Sequence, residues 1–106
     1  MIAASKAQIK PGKLLIGGEW VEAASGKTFA TINPATGEVL TEIAAAGAED
    51  VERAVQAARR AFDDPAAPWQ KMTASERARI LWRIADLIEQ NIEEISEIET
   101  LDNGKP

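Results

Sequence analysis

Thr73-Ala74-Ser75-Glu76, followed by Arg77-Ala78-Arg79-Ile80-Leu81-Trp82-Arg83-Ile84-Ala85-Asp86-Leu87-Ile88, is the stretch on which the fold turns. T-x-x-E directly before an apolar-periodic run is a capping box: the threonine hydroxyl accepts from the amide three residues on, and the glutamate carboxylate reaches back to the threonine amide. Such a cap is worth on the order of 1 kcal/mol, so a helix is expected to start at about Ala74. Along it Ile80, Ile84, Leu87, Ile88, Ile92, Ile95, Ile98 and Leu101 keep to one side, with Trp82 widening or flanking the stripe. Gly104 and Pro106 then supply a stop, because glycine tolerates the positive φ of a helix cap and proline cannot carry a helix onward. The expected helix spans residues 74–101.

Its charges oppose the helix macrodipole. Arg77, Arg79 and Arg83 lie in the N-terminal half, and Glu89, Glu93, Glu94, Glu97 and Glu99 in the C-terminal half. Glu89, Glu93 and Glu97 also stack at four-residue spacing, each like-charge pair costing a few tenths of a kcal/mol. Burial of one Leu or Ile contributes about 1.5 to 3 kcal/mol, so the stripe outweighs these penalties if something covers it. Ile and Leu crowd residues 80–101 and are sparse before them, so the covering surface is mostly missing from these residues. The chain is therefore expected to be the beginning of a longer protein. The glutamate row is read as a solvated face, with a docking surface for a basic partner as the alternative.

Upstream, residues 14–44 alternate short apolar runs with turn chemistry, the pattern of β-hairpins. Leu14-Leu15-Ile16 faces Glu19-Trp20-Val21 across Gly17-Gly18, which suits a two-residue turn with positive φ. Thr28 to Ile32 meets Glu38 to Ala44 across Asn33-Pro34-Ala35-Thr36-Gly37. Residues 48–62 switch to helical period: Val51, Val55, Ala58 and Phe62 form one expected buried face, and Asp50 is placed to cap Gly47. Pro65 and Pro68 bracket a loop whose Trp69 is expected to pack into a neighbouring groove. Residues 1–13 hold Lys6, Lys10 and Lys13 and no acid, and are expected to be a flexible tail.

Composition narrows the function. The net charge of −5 argues against a nucleic-acid partner. No apolar run has the roughly 18 to 20 residues of a membrane span. Without Cys or His, these residues offer no thiol nucleophile, no thiolate metal site and no imidazole base. G-x-G-x-x-G, the P-loop, G-x-S-x-G and H-E-x-x-H are absent. Glu38 with Glu42, or Asp63 with Asp64, could pair as an acid and base, but solvated turn and strand-edge positions are the expectation.

Four segments in order carry a resemblance. They are Leu15-Ile16-Gly17-Gly18-Glu19-Trp20-Val21; Ser25-Gly26-Lys27-Thr28-Phe29 leading to Ile32-Asn33-Pro34-Ala35-Thr36-Gly37-Glu38-Val39; Glu49-Asp50-Val51-Glu52-Arg53-Ala54-Val55; and Ser75-Glu76-Arg77 through Glu99-Thr100-Leu101-Asp102-Asn103-Gly104-Lys105-Pro106. Together, over residues 14–106, they resemble the start of an NAD(P)-dependent aldehyde dehydrogenase of the hydrolytic type. The resemblance implies an α/β fold: N-terminal β-hairpins followed by two helices, an incomplete piece of a Rossmann-like cofactor domain. It also implies a much longer whole protein, in which a cysteine thiolate attacks the aldehyde, hydride passes to NAD or NADP, and a glutamate-activated water releases the acid. None of those groups lies in these residues, so the chain alone is expected to be inactive.

By the same resemblance, Thr31, Ile32 and Asp102 match positions that hold a monovalent cation, K⁺ or Na⁺, with a further ligand from beyond residue 106. The negative end of a helix and its free carbonyls favour such an ion. The alternative for Asp102 is a helix-end residue bonded to its own backbone. The implied partners are a small-molecule aldehyde and, for the full-length protein, further copies in a dimer or tetramer, in the cytoplasm. Betaine-aldehyde-, phenylacetaldehyde- and retinal-type substrates are not separated by these residues. The competing expectation is a non-catalytic interaction or assembly module, or the remnant of a truncated gene.

Overall fold

The computed structural model describes residues 9–106 of the chain. Its elements run β1 (Leu14–Ile16), β2 (Glu19–Val21), β3 (Thr28–Ile32), β4 (Val39–Ala44), α1 (Ala48–Asp63), α2 (Pro68–Lys71), α3 (Ala74–Gln90) and α4 (Ile92–Asn103). The α/β class and the two hairpins are as expected. β1 pairs with β2 antiparallel, Leu15 opposite Trp20, across Gly17 and Gly18 at φ 62° and 84°. Two consecutive positive φ values are what lets a two-residue turn match the twist of its strands. β3 pairs with β4 antiparallel, Phe29 opposite Ile43 and Thr31 opposite Thr41, with the register shifting between Thr31 and Ile32.

Within residues 1–13, expected to be a flexible tail, Gly12 is paired with β4. Gly12 forms a parallel bridge to Ile43, its amide donating to the Glu42 carbonyl at 3.0 Å and its carbonyl accepting from the Ala44 amide at 2.9 Å. Glycine permits this approach, since a Cβ there would lie 2.6 Å from Ile43 Cγ2. Residues 1–8, the rest of the expected tail, lie outside the described residues.

α1 begins where the acidic first turn placed it. The Asp50 carboxylate accepts from the Gly47 amide through Oδ2 at 2.9 Å and from the Ala24 amide through Oδ1 at 3.0 Å. One side chain thus caps the helix and ties it to the segment following β2. The face expected to be buried is a correction: Val51, Val55 and Phe62 are exposed. The face against the first hairpin is instead the neighbouring one, with Ala54 and Ala57 half-buried and Ala57 beside Gly17. Small side chains let the glycine turn come close, while the larger ones face outward.

The single helix expected over 74–101 is divided in two at Asn91, and the second part runs on to Asn103. At Asn91 φ is −114° and ψ 18°, and both its amide, at 3.2 Å, and its side-chain Nδ2, at 2.8 Å, donate to the Leu87 carbonyl. An asparagine side chain that competes for a backbone acceptor in this way interrupts the regular ladder. The capping box is present in full, Glu76 amide to Thr73 Oγ1 at 3.2 Å and Thr73 amide to Glu76 Oε2 at 2.7 Å. The loop expected around Trp69 contains the short helix α2, and the Arg77 guanidinium sits 5.8 Å from the centre of the Trp69 ring.

Among the described residues Ala23 is the buried hydrophobic residue and Asp50 the buried charged one, and no large side chain is fully buried. The molecule measures 55 × 35 × 18 Å, with a radius of gyration of 17.6 Å, where a compact domain of this length has about 13 Å. Its accessible surface is 8584 Å², against about 5,800 Å² for a compact protein of its mass. The excess is about 2,800 Å² by that scaling, and among the described residues large apolar side chains such as Trp82, Leu81, Phe62 and Trp20 are exposed. None of the described helices is long and apolar enough to cross a membrane.

Candidate functional site

The C-terminal end of α4 is brought to the second hairpin by a local stop. Gly104 takes φ 79°, its amide donates to the Thr100 carbonyl at 2.9 Å, and a Cβ on it would lie 3.1 Å from Pro34 Cγ in the β3–β4 turn. The left-handed residue that ends the helix therefore also seats that end on the hairpin.

Between α4 and the β3–β4 sheet lies an open cleft of about 550 Å³ whose walls include Thr31, Thr41, Glu99, Asp102, Asn103 and Lys10. The structure thus brings Thr31 and Asp102 together on one cavity, across 71 positions of sequence. Ile32 does not line it: its side chain is exposed, and it pairs with Val39 on β4. Thr31 Oγ1 donates to the Thr41 carbonyl at 3.4 Å, so the hydroxyl is oriented by β4 while its lone pairs remain to accept.

The electrostatics of the cleft are mixed. Glu99 and Asp102, three residues apart on one face of α4, put two carboxylates beside the negative end of the helix dipole, an arrangement that favours a cation. Lys10 lies on the same cavity and is itself a cation able to answer those carboxylates. Asn103 Nδ2 donates to Glu99 Oε1 at 3.3 Å, and Asn103 Oδ1 accepts the Lys105 amide at 2.7 Å, so Asn103 takes the helix-end turn role that was the alternative for Asp102. Hard oxygen donors of this kind suit Na⁺, K⁺ or a similar ion rather than a thiophilic metal. Among the described residues no group of three or more His, Cys, Asp or Glu could hold a metal ion.

The sequence reading missed Glu99, Asn103 and Lys10 as neighbours of Asp102. The signal for Glu99 was available, since i and i+3 share a helix face; none existed for Lys10. Three of the four carboxylates considered from sequence as pairs are engaged elsewhere: Glu42 accepts from Thr28 Oγ1 at 2.8 Å, Asp63 meets Arg59 at 3.0 Å on the exposed side of α1, and Asp64 Oδ1 accepts from the Ala66 amide at 2.9 Å. The Asp50 carboxyl is held below the ordinary carboxylate range, first by the Gly47 amide, then by that of Ala24, with Arg53 assisting. That perturbation belongs to a structural pin, not to acid–base chemistry. Among the described residues the strand-to-helix turn is Ala45-Ala46-Gly47, between β4 and α1; its single glycine donates its amide to Asp50 and the G-x-G-x-x-G pattern is absent, so these residues do not by themselves fit a nicotinamide cofactor.

The aldehyde dehydrogenase family model matches residues 20–106. Aldehyde dehydrogenase family 2 member B4, mitochondrial, of Arabidopsis thaliana is 54% identical over 99 residues, 93% of this chain and 18% of its own length. The mitochondrial benzaldehyde dehydrogenase of Antirrhinum majus is 50% identical over 98% of this chain and 20% of its own. An aldehyde dehydrogenase from Bacillus cereus, solved as an NAD⁺ complex, superposes with a TM-score of 0.87 at 49% identity, covering 92% of this chain and 19% of that one. The chain spans about a fifth of the length of the relatives it matches.

Proposed function

Since the chain belongs to the aldehyde dehydrogenase family, we propose that it is the N-terminal part of an oxidoreductase that converts an aldehyde to a carboxylic acid with NAD or NADP. The observation that carries this is the agreement of its hairpins and helices with 19% of an NAD⁺-binding relative, at 49% identity. The cysteine nucleophile and the cofactor turn would come from the other four-fifths. These residues supply scaffold: Asp50 locks the first hairpin to α1, and the Gly104–Pro34 contact locks α4 to the second.

The same reading gives the cleft at the end of α4 to a monovalent cation, K⁺ or Na⁺. Thr31 and Asp102 support it by lining one cavity; Ile32 could take part only through its backbone carbonyl, since its side chain points elsewhere. Oxidation requires the whole enzyme, so the experiment is a chimera in which this chain replaces the matching segment of the Bacillus cereus enzyme. NAD-linked oxidation of benzaldehyde or acetaldehyde is expected from the chimera and not from the 106-residue chain. Turnover by the chain alone, or a folded but inert chimera, would overturn the proposal. For the cation, Asp102→Asn in the chimera should raise the KCl or NaCl concentration needed for half-maximal thermal stabilisation, and an unchanged salt response would remove that assignment.

A further inference from the structure

The chain holds three asparagines, and the residue after each decides whether its side chain can cyclise onto the backbone, because the nucleophile is the next residue's amide nitrogen. Asn33 precedes Pro34, which has no N–H. Asn91 precedes the β-branched Ile92, and both its amide and its Nδ2 are held by the Leu87 carbonyl. Asn103 precedes Gly104, which has no side chain to obstruct ring closure, and it is exposed at the last turn of α4. Its Oδ1 accepts the Lys105 amide at 2.7 Å, which draws the side-chain carbonyl toward the following peptide units and sets a donor where negative charge collects as that carbonyl is attacked. Nδ2, the group that must leave, lies 3.3 Å from Glu99 Oε1. One contact opposes the reaction: the Gly104 amide is committed to the Thr100 carbonyl at 2.9 Å. That is the closing bond of the helix, and terminal turns open most readily.

We propose that Asn103 and Gly104 form a site of spontaneous deamidation, gated by that last helix bond, at which an amide on the wall of the α4 cleft becomes a carboxylate. When the bond opens, the Gly104 nitrogen gives up its proton and attacks Asn103 Cγ. The new N–C bond forms, the Cγ–Nδ2 bond breaks, and Nδ2 leaves as ammonia with that proton, closing a succinimide. Water then opens the ring at either carbonyl. Breaking the new bond to Cγ gives aspartate, breaking the original peptide bond gives isoaspartate, and nothing is oxidised or reduced. Both products add a negative charge to the cavity that Glu99, Asp102 and Lys10 also line. Isoaspartate in addition inserts a methylene into the main chain between residues 103 and 104, where the left-handed cap of Gly104 and its seat on Pro34 depend on the ordinary spacing. Aging of this one bond thus unseats α4 from the second hairpin. The chemistry uses only residues of this chain and stands or falls apart from the family reading.

The experiment incubates the 106-residue chain at mildly alkaline pH beside a synthetic peptide of residues 99–106, which is too short to hold a helix. Mass spectrometry of proteolytic fragments should find a gain of about one dalton on the fragment bearing Asn103 and none on those bearing Asn33 or Asn91. An isoaspartyl methyltransferase should label that same fragment. The peptide should convert faster than the chain, by the factor to which hydrogen exchange of the residue-104 amide is protected in the chain. Asn103→Gln, which would have to close a larger ring, should abolish the gain. In the aged chain, protection of the residue-104 amide should be lost while that of the Glu76 amide, in the capping box, is kept. Equal rates in chain and peptide, or a chain far slower than the protection factor allows, would overturn the proposal. So would conversion at Asn33 or Asn91 as fast as at Asn103, or an isoaspartyl chain whose residue-104 amide stays protected.

Discussion

Gly12→Ala isolates one steric contact. Gly12 does not have a positive φ, so alanine meets no backbone strain there; what it adds is a Cβ 2.6 Å from Ile43 Cγ2 and 3.1 Å from Ile43 Cβ. Neither atom is the far end of a flexible side chain, so relief requires the bridge to β4 to move apart. Overpacking of this kind costs about 1 to 3 kcal/mol, which weakens the local pairing about 5- to 150-fold. The bridge has its own reporter, the Ala44 amide, which donates to the Gly12 carbonyl at 2.9 Å. Amide exchange followed by NMR reads the opening of that bond without needing the whole chain to unfold in one step. Protection of Ala44 should fall by that factor while α3 amides are unaffected. Ile43→Ala removes the nearer atom, so the double variant should recover part of the loss, a coupling that a double-mutant cycle measures. Unchanged Ala44 protection in Gly12→Ala, or no coupling to Ile43, would refute the close pairing.

Gly104→Ala places a side chain at φ 79°, costing roughly 1 to 2 kcal/mol, and brings its Cβ to 3.1 Å from Pro34 Cγ. Exchange of the residue-104 amide should accelerate about 5- to 30-fold, and Gly104→Asn, which tolerates that conformation, should do so less. Thr73→Ala removes one bond of the capping box and should weaken the start of α3 by about 1 kcal/mol, read as faster exchange of the Glu76 amide, with Thr73→Ser near wild type. Asp50 provides the pH dependence. Its folded carboxyl titrates below its unfolded value of about 3.9, so its stabilising effect is present above that value and lost as pH falls through the folded one. Protection of the Gly47 and Ala24 amides should collapse in that acidic window, and Asp50→Asn should flatten the response.

What was legible in the sequence was local. The Thr73–Glu76 box, the Gly17-Gly18 turn and the Asp50 cap each depend on residues no more than four apart, and each is found where its spacing put it. The second bond of Asp50, to Ala24, joins residues 26 apart, and no periodic pattern announces such a pair. The same holds for Gly12 and Ile43. On α1 the period was right, but the face set against the first hairpin is that of Ala54 and Ala57, because a glycine turn selects its neighbour by size, and Val55 and Phe62 stand exposed as the α3 stripe does. For the candidate site, the meeting of Thr31 with Asp102 came from family resemblance, since spacing alone could not relate a strand bulge to a helix end 71 residues away.

The division at Asn91 also changes the electrostatic picture of the long apolar segment. As one helix, its glutamates crowd the end where the dipole is negative. As two, Glu93 and Glu94 occupy the first turn of α4, where exposed amides favour a carboxylate by about 0.3 to 1 kcal/mol each. The conflict then narrows to Glu89, in the last turn of α3, and to Glu97 and Glu99, which follow in α4. Glu99 is not idle there: it accepts from Asn103 and shares the cleft with Asp102. A pair of carboxylates at a helix C-terminus is unfavourable for the helix by itself and favourable for a bound cation or for Lys10. The charge pattern that looks misplaced on a single helix therefore marks both the point where the segment breaks and the end where it meets the second hairpin.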